Sequence, residues 1–205
     1  MLNMGIVELI GVAGSVSLLS GWRIYLCTFA VGLAMRTGWL NLPDHVSGLD
    51  ILANPWVLGV SFVGLVAEFF ADKLPWLDSI WDGVHTLVRP IGGALLAMAI
   101  VDPQDTTWQV LSLLLGGSAA LLSHSAKAGT RAVVNTSPEP VSNVLVSTGE
   151  DVATGGLLYL ALAEPVTAGI IALVLLAACI TVLLILRSFL KRLLSPKSEG
   201  VSRQE

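Results

Sequence analysis

Charge is what this sequence has least of. Asp, Glu, Lys and Arg make up 13% of its 205 residues, against the roughly 25% usual in soluble domains. So little charge does not fit a water-soluble globule. Cysteine is also scarce: Cys27 and Cys179 both lie in apolar runs, too few for a disulfide framework, and read as small buried hydrophobes. Basic excess is missing, since the net charge is −4, which argues against nucleic acid as a partner. The three histidines, His45, His85 and His124, stand about 40 residues apart and lack metal-ligand spacing. Neither a Gly-x-Ser-x-Gly elbow nor a phosphate-binding Gly-Lys loop occurs. No catalytic residue, metal site or cofactor is therefore assigned, and an enzyme is not the expectation.

What is present is aliphatic sequence. Hydrophobic residues reach 54% while aromatics supply only 6%, a balance that suits lipid-facing helices. A membrane span takes about 20 apolar residues, so this length predicts about six helical segments in one membrane domain over 1–194, with 195–205 a disordered cytoplasmic tail. The fold class is an all-α integral membrane protein, some of its segments broken or re-entrant. The start, Met-Leu-Asn-Met-Gly, lacks the cationic region and cleavage site of a signal peptide, so the first apolar stretch is read as retained.

That stretch, Met4 to Met35, is apolar except for Glu8 and Arg23. As one straight helix it would be about 48 Å long, against a hydrocarbon core of about 30 Å. It must tilt strongly, project from the membrane or break, and the obvious place to break is Ser20-Gly21-Trp22-Arg23, where glycine and charge coincide. Arg36 to Asn54 is a polar connector with a turn signal at Pro43-Asp44-His45. Pro55 opens the run Trp56–Phe70, and Val84–Val101 follows, interrupted at Arg89-Pro90. Thr106-x-x-Gln109 has capping-box spacing before Trp108–Leu122. A polar insert then fills Ser123 to Ser147, and a second capping box, Ser147-x-x-Glu150, is expected to start the next helix. Glu164-Pro165 divides the remainder into a half-helix, Thr154–Ala163, and a full span, Val166–Leu186. The tail cations Arg187, Lys191, Arg192, Lys197 and Arg203 place that end in the cytoplasm by the positive-inside rule.

An internal repeat is suggested by three matches in the same order. Gly14-Ser-Val-Ser-Leu-Leu-Ser20 resembles Gly117-Ser-Ala-Ala-Leu-Leu-Ser123, Gly21-Trp-Arg23 resembles Gly129-Thr-Arg131, and Asn54-Pro55-x3-Gly59 resembles Glu164-Pro165-x3-Gly169. The halves would be 5–102 and 106–190, inverted if each holds an odd number of crossings, an arrangement known in transporters. The competing explanation is two spans with similar small-residue packing faces.

Ionisable residues within spans cost several kcal/mol unless paired and are functional candidates by default. Glu68 and Asp72 share a helical face, and Asp78, Asp82, His85 and Arg89 would form one stripe. These charges either meet water and headgroups, with Trp76 and Trp81 as belt residues, or pair inside the bundle. His124, Lys127, Arg131 and Asn135 also fall on one helical face. They form either an outward basic stripe or a re-entrant segment lining a cavity, which would attract an anion. Arg23 would pair with Glu68, Asp72 or Glu164. The ligand- or ion-binding candidates are thus Arg23, Glu68, Asp72, Arg89, His124, Lys127, Arg131, Asn135 and Glu164.

Two long motifs carry a resemblance. Glu68-Phe-Phe-Ala-Asp72-Lys73-Leu-Pro75-x-Leu-Asp78-Ser-x-Trp81-Asp82-x-Val-His85-Thr-x-x-Arg89-Pro90 and His124-Ser-Ala-Lys127-Ala-Gly-Thr-Arg131-Ala-Val-Val-Asn135-Thr-Ser-Pro138-Glu139-Pro140-x-Ser-Asn143 are similar to a bacterial membrane-protein family catalogued as domain of unknown function 4126. The resemblance covers about residues 5 to 190. It implies a small multi-pass protein of the bacterial cytoplasmic membrane, with no activity to carry over. The functional expectation is a transporter or channel-like protein passing a small, anionic or ionic solute through a polar site between two halves. The alternative is a non-transporting scaffold, or a lipid-handling protein. The lipid bilayer is the expected surrounding. A homo-oligomer is also expected, because so small a chain rarely encloses a pathway alone; Gly32, Gly59, Gly64, Gly92, Gly93, Gly116 and Gly117 offer close-packing positions.

Overall fold

Proline sets the helix starts. The computed structural model describes residues 5–39, 51–100, 105–136 and 140–194, and these form six helices with no strand among them: α1 (Ile6–Arg36), α2 (Pro55–Ala71), α3 (Pro75–Ala99), α4 (Thr106–Val134), α5 (Pro140–Ala163) and α6 (Pro165–Leu194). Four of the six begin at a proline, where the missing N–H would have had no partner in any case. Asn54 caps α2 by accepting from Trp56 N–H at 2.9 Å. Asp105, rather than a Thr106–Gln109 box, caps α4 through the N–H groups of Thr107 and Trp108. α1, α4 and α6 are long and apolar enough to cross a membrane. The outer faces are apolar, as Val63 on α2, Leu87 on α3, Leu145 on α5 and Leu173 on α6 illustrate. The protein is an all-α membrane bundle.

The expected break in α1 is present. Arg23 has non-helical backbone angles, φ −143° and ψ 75°, and the two arms on either side fold back on each other. Leu157 shares a small cleft with Ser15, Leu18 and Leu19, while Tyr159, two residues on, packs against Trp39 with ring centroids 5.6 Å apart. A straight helix would hold Leu19 and Trp39 about 30 Å apart. Both arms therefore flank α5, with Arg23 at the vertex.

This bend gives the bundle two distinct ends. At the vertex end lie the α2–α3 turn, the end of α4, the start of α5 and the basic end of α6, whose Leu186 faces Gly129. Both outer ends of α1 lie at the opposite end: Gly11 touches Pro165 at the start of α6 and Gly32 touches Leu52 just before α2. α3 and α4 run antiparallel, Thr86 meeting His124 and Gly93 meeting Gly116 and Ala120. The first arm of α1 runs parallel to α4, because Ser17 faces Gly116 and Trp22 faces Lys127.

Small residues let these three pack closely. Gly21 lies against Ala120 and Ser123, Gly93 against Ser20, and Ser123 Oγ donates to the Leu18 carbonyl at 2.7 Å. The two similar stretches, 14–20 and 117–123, thus meet each other. Of the glycines with close-packing potential, Gly32, Gly64, Gly92, Gly93, Gly116 and Gly117 are used within the chain, and Gly59 alone has open space beside it.

Four expectations need correction. α3 starts at Pro75 rather than near Val84, because the charges of its first turns point inward and leave an apolar outer face. α4 stays helical through His124–Val134, so that stretch is not an irregular re-entrant loop. α5 begins at Pro140; Ser147 is interior to it, its hydroxyl accepting from Lys73 Nζ at 3.0 Å instead of capping a helix. The stretch Thr154–Ala163 is accordingly the second half of a full-length helix. The turn signal at Pro43-Asp44-His45 and the tail 195–205 lie outside the described residues.

Candidate functional site

Broken and ended helices expose carbonyls that need donors. The break at Arg23 frees the carbonyls of the preceding turn. Trp22 C=O accepts from Lys127 Nζ at 3.2 Å, and Gly21 C=O faces Arg89 Nη1 at 3.5 Å. The C-terminal end of α2 makes the same demand, and Asp72 C=O accepts from both Arg131 and Asn143 Nδ2. Two negative helix ends converge here, which draws cations inward. Carboxylates follow to neutralise them.

The result is a buried ion-pair network on five of the six helices. Arg23 pairs with Asp72 and lies 2.9 Å from Asp151. Lys127 is 2.8 Å from the same Asp72 carboxylate and 3.7 Å from Glu150. Lys73, at the outer edge, reaches Asp151 at 3.5 Å. Arg131 binds Asp78 at 2.9 Å, and Asn135 Nδ2 donates to that carboxylate at 2.7 Å. Deeper in the bundle, Arg89 spans Glu68 at 2.8 Å and Asp82 at 2.9 Å. Its Nη1 also lies 2.7 Å from His124 Nδ1. Arg23, Glu68, Asp72 and Arg89 are at most 1% exposed.

Of the nine candidates from the sequence, eight are in or against this network. Glu164 is not: it sits exposed between α5 and α6 beside Pro165, at the opposite end of the bundle. Arg23 therefore takes Asp72, not Glu68 or Glu164. His124, Lys127 and Arg131 face the interior, so the outward basic stripe is absent. Asp78, Asp82, His85 and Arg89 do share one face of α3, and all four are buried. Lys73, Asp78 and Asp82 belong to the network without having been among the nine candidates, and Glu150, Asp151 and Asn143 were missed as site residues. The available signal was a Glu-Asp pair within an otherwise apolar run.

Two histidines flank the deep part. His85 Nδ1 lies 2.8 Å from the Trp81 carbonyl and Nε2 3.1 Å from the Tyr25 hydroxyl, with the Trp81 ring stacked at 4.3 Å. Nδ1 therefore carries a ring proton and donates it to the Trp81 carbonyl, while Nε2 and the Tyr25 hydroxyl share a hydrogen bond. A groove of about 590 Å³ opens elsewhere, between α4 and α6, lined by Ser125, Gly129, Leu183, Leu186, Arg187 and Leu190.

A family model described as "Domain of unknown function (DUF4126)" matches residues 10–184. The chain belongs to this family. Both signature motifs of the family resemblance map onto the network: one supplies the end of α2 and the start of α3, the other the C-terminal half of α4 and the start of α5. No curated protein and no solved structure matches the chain.

Proposed function

We propose that the protein is a small membrane transporter that passes a small anionic solute or ion through the polar site around Arg23, Asp72, Lys127 and Arg131. The observation that carries this reading is the burial of these charges at a helix break inside a bundle with an apolar exterior. Buried ion pairs cost several kcal/mol of desolvation per ion, and apolar packing of the same volume is often at least as stable. A closed bundle needs no such network; a path for a charged solute does. An anionic solute would displace carboxylates from Arg23, Lys127 and Arg131, and the carboxylates would close the site again on its release.

The cation distribution supports an orientation. Lys73, Arg187, Lys191 and Arg192 belong to the vertex end, whereas Arg36 is the described cation of the opposite end. By the positive-inside rule the vertex end faces the cytoplasm of a bacterial inner membrane. The order of the sequence matches also supports a duplication: the first arm of α1, its second arm and α2 would correspond to α4, α5 and α6, with α3 between. Equivalent elements then run in the same direction, so the copies are parallel rather than inverted, as in transporters whose repeats are related by an axis along the membrane normal. For a homo-oligomer, Gly59 on the exposed face of α2 is the open close-packing position.

The scaffold reading is favoured by one observation, that each cation of the network already has a carboxylate partner. Flux measurements in proteoliposomes separate the two. Transport predicts that wild-type protein moves a small anion across the bilayer and that Arg131→Ala and Glu68→Gln abolish this while remaining folded by circular dichroism. Absence of flux in the wild type with every small anion and cation tested, together with weakened folding in both variants, sinks the transport reading and leaves the scaffold.

A further inference from the structure

Among the described residues, the network divides into two parts that share no ion pair. In the outer part, Arg23, Lys73, Lys127 and Arg131 face Asp72, Asp78, Glu150 and Asp151, four cations for four carboxylates. In the inner part a single cation, Arg89, faces two carboxylates, Glu68 and Asp82. The surplus negative charge therefore falls entirely on the deepest group.

Among the described residues, nothing around that group neutralises it. His124 Nδ1 meets Arg89 Nη1, which can only donate, so Nδ1 accepts and the ring proton resides on Nε2, donated to Thr86 Oγ1 at 3.1 Å. That imidazole is neutral. From α1 the titratable groups facing the trio are Tyr25, hydrogen-bonded to His85, and the buried thiol of Cys27, neither of them a cation, and among the described residues His85 forms no ion pair with either carboxylate. From α2 and α4 come Asp72 and Lys127, and from α5 Glu150, all committed to the outer part. The run of α6 at this level, Val166–Leu186, carries no charge. One carboxylate oxygen of the trio is left over: Glu68 Oε2 is buried and has no hydrogen-bond partner.

An unneutralised carboxylate in such surroundings is costly enough that a carboxyl group takes up a proton instead. A metal cation is a poor substitute, since it would lie against the Arg89 guanidinium and needs several oxygen ligands. We propose that Glu68, Asp82 and Arg89 form a binding site for one exchangeable proton, with Glu68 Oε2 as the atom that takes it. The O–H bond forms with a proton delivered through water, leaves Arg89 balanced by Asp82, and breaks when a second cation approaches Glu68, the proton returning to water. The inference stands without the transport reading; within that reading, the proton is the coupling ion.

Infrared spectroscopy of the full chain in lipid vesicles at neutral pH tests it. The wild type should show the carbonyl band of one protonated carboxyl group, shifted in heavy water. Glu68→Gln should lose the band because its host is gone, and Asp82→Asn should lose it because the surplus is gone. Asp151→Asn, in the balanced outer part, should keep it. No band in the wild type, a band unchanged in Glu68→Gln, or a band erased by adding sodium chloride would each overturn the proposal. If Glu68→Gln fails to fold, Asp82→Asn decides the matter in its place, and a band that persists there overturns the proposal. A band without any flux refutes transport alone, and flux without a band refutes the proton site alone.

Discussion

Gly21-Trp22-Arg23 and Gly129-Thr130-Arg131 bring the same spacing to the same end of the bundle, and the chain does opposite things at the two places. At Arg23 the helix breaks and returns. At Arg131 it continues to Val134 without interruption. Both arginines are buried and both neutralise carboxylates of the α2–α3 region. The difference lies in what surrounds each. The carbonyls freed before Arg23 are met by Lys127 and Arg89 arriving from α4 and α3, whereas Arg131 reaches Asp78 and the Asp72 carbonyl from an intact helix. A glycine two residues before an arginine permits a break. Donors from neighbouring helices are what stabilise one.

Three comparisons by substitution sharpen or break this contrast. The largest effect is expected at Asp72, whose carboxylate serves both Arg23 and Lys127. Asp72→Asn leaves two buried cations short of a counter-charge and should cost about 3–5 kcal/mol, read as thermal unfolding in detergent. Asp78→Asn, which deprives one cation, Arg131, of its carboxylate and disturbs the bond from Asn135, should cost less, and the reverse order would show that the break is not the more demanding site. Next is Gly21→Ala. Its methyl group would overlap Ser123 Oγ and the Ala120 carbonyl oxygen, forcing α1 from α4 at a cost of about 1–3 kcal/mol. Smallest is Gly129→Ala, where the methyl group meets only the end of Leu186, 2.6 Å away. That flexible side chain can turn aside, and the helix gains about 0.5–1 kcal/mol from alanine, so the same unfolding measurement should find little change or a slight gain. Equal losses at the two glycines would erase the distinction between the triads.

How much of this was legible in the sequence depends on the kind of signal. The break was, because a charge and a glycine in an overlong apolar run leave few alternatives. So was the start of α2, since proline and a preceding asparagine specify a helix N-terminus locally. The burial of Glu68 and Arg89 was one of two readings the sequence left open, the other being interfacial charges, and only the packed helices decide for the buried pair. The start of α5 was misread because Ser147 and Glu150 have capping-box spacing, although both serve side chains from other helices. The first turns of α3 were misread because Asp78 and Asp82 resemble interfacial charges until their partners, Arg131 and Arg89, are in view. The return of α1 could not be read at all: a break is local, but its angle is set by contacts with α5 that are more than 100 residues away in sequence.

That return has a bearing on sidedness. Six helices, counted as six crossings, would bring the chain back to the compartment where it began. Because α1 enters and leaves at the same end, the bundle has seven legs, an odd number, and residues 5 and 194 lie at opposite ends. The relative sidedness of residues 5 and 194 thus rests on a single bent residue, since the same six helices with a straight first helix would bring both to one end.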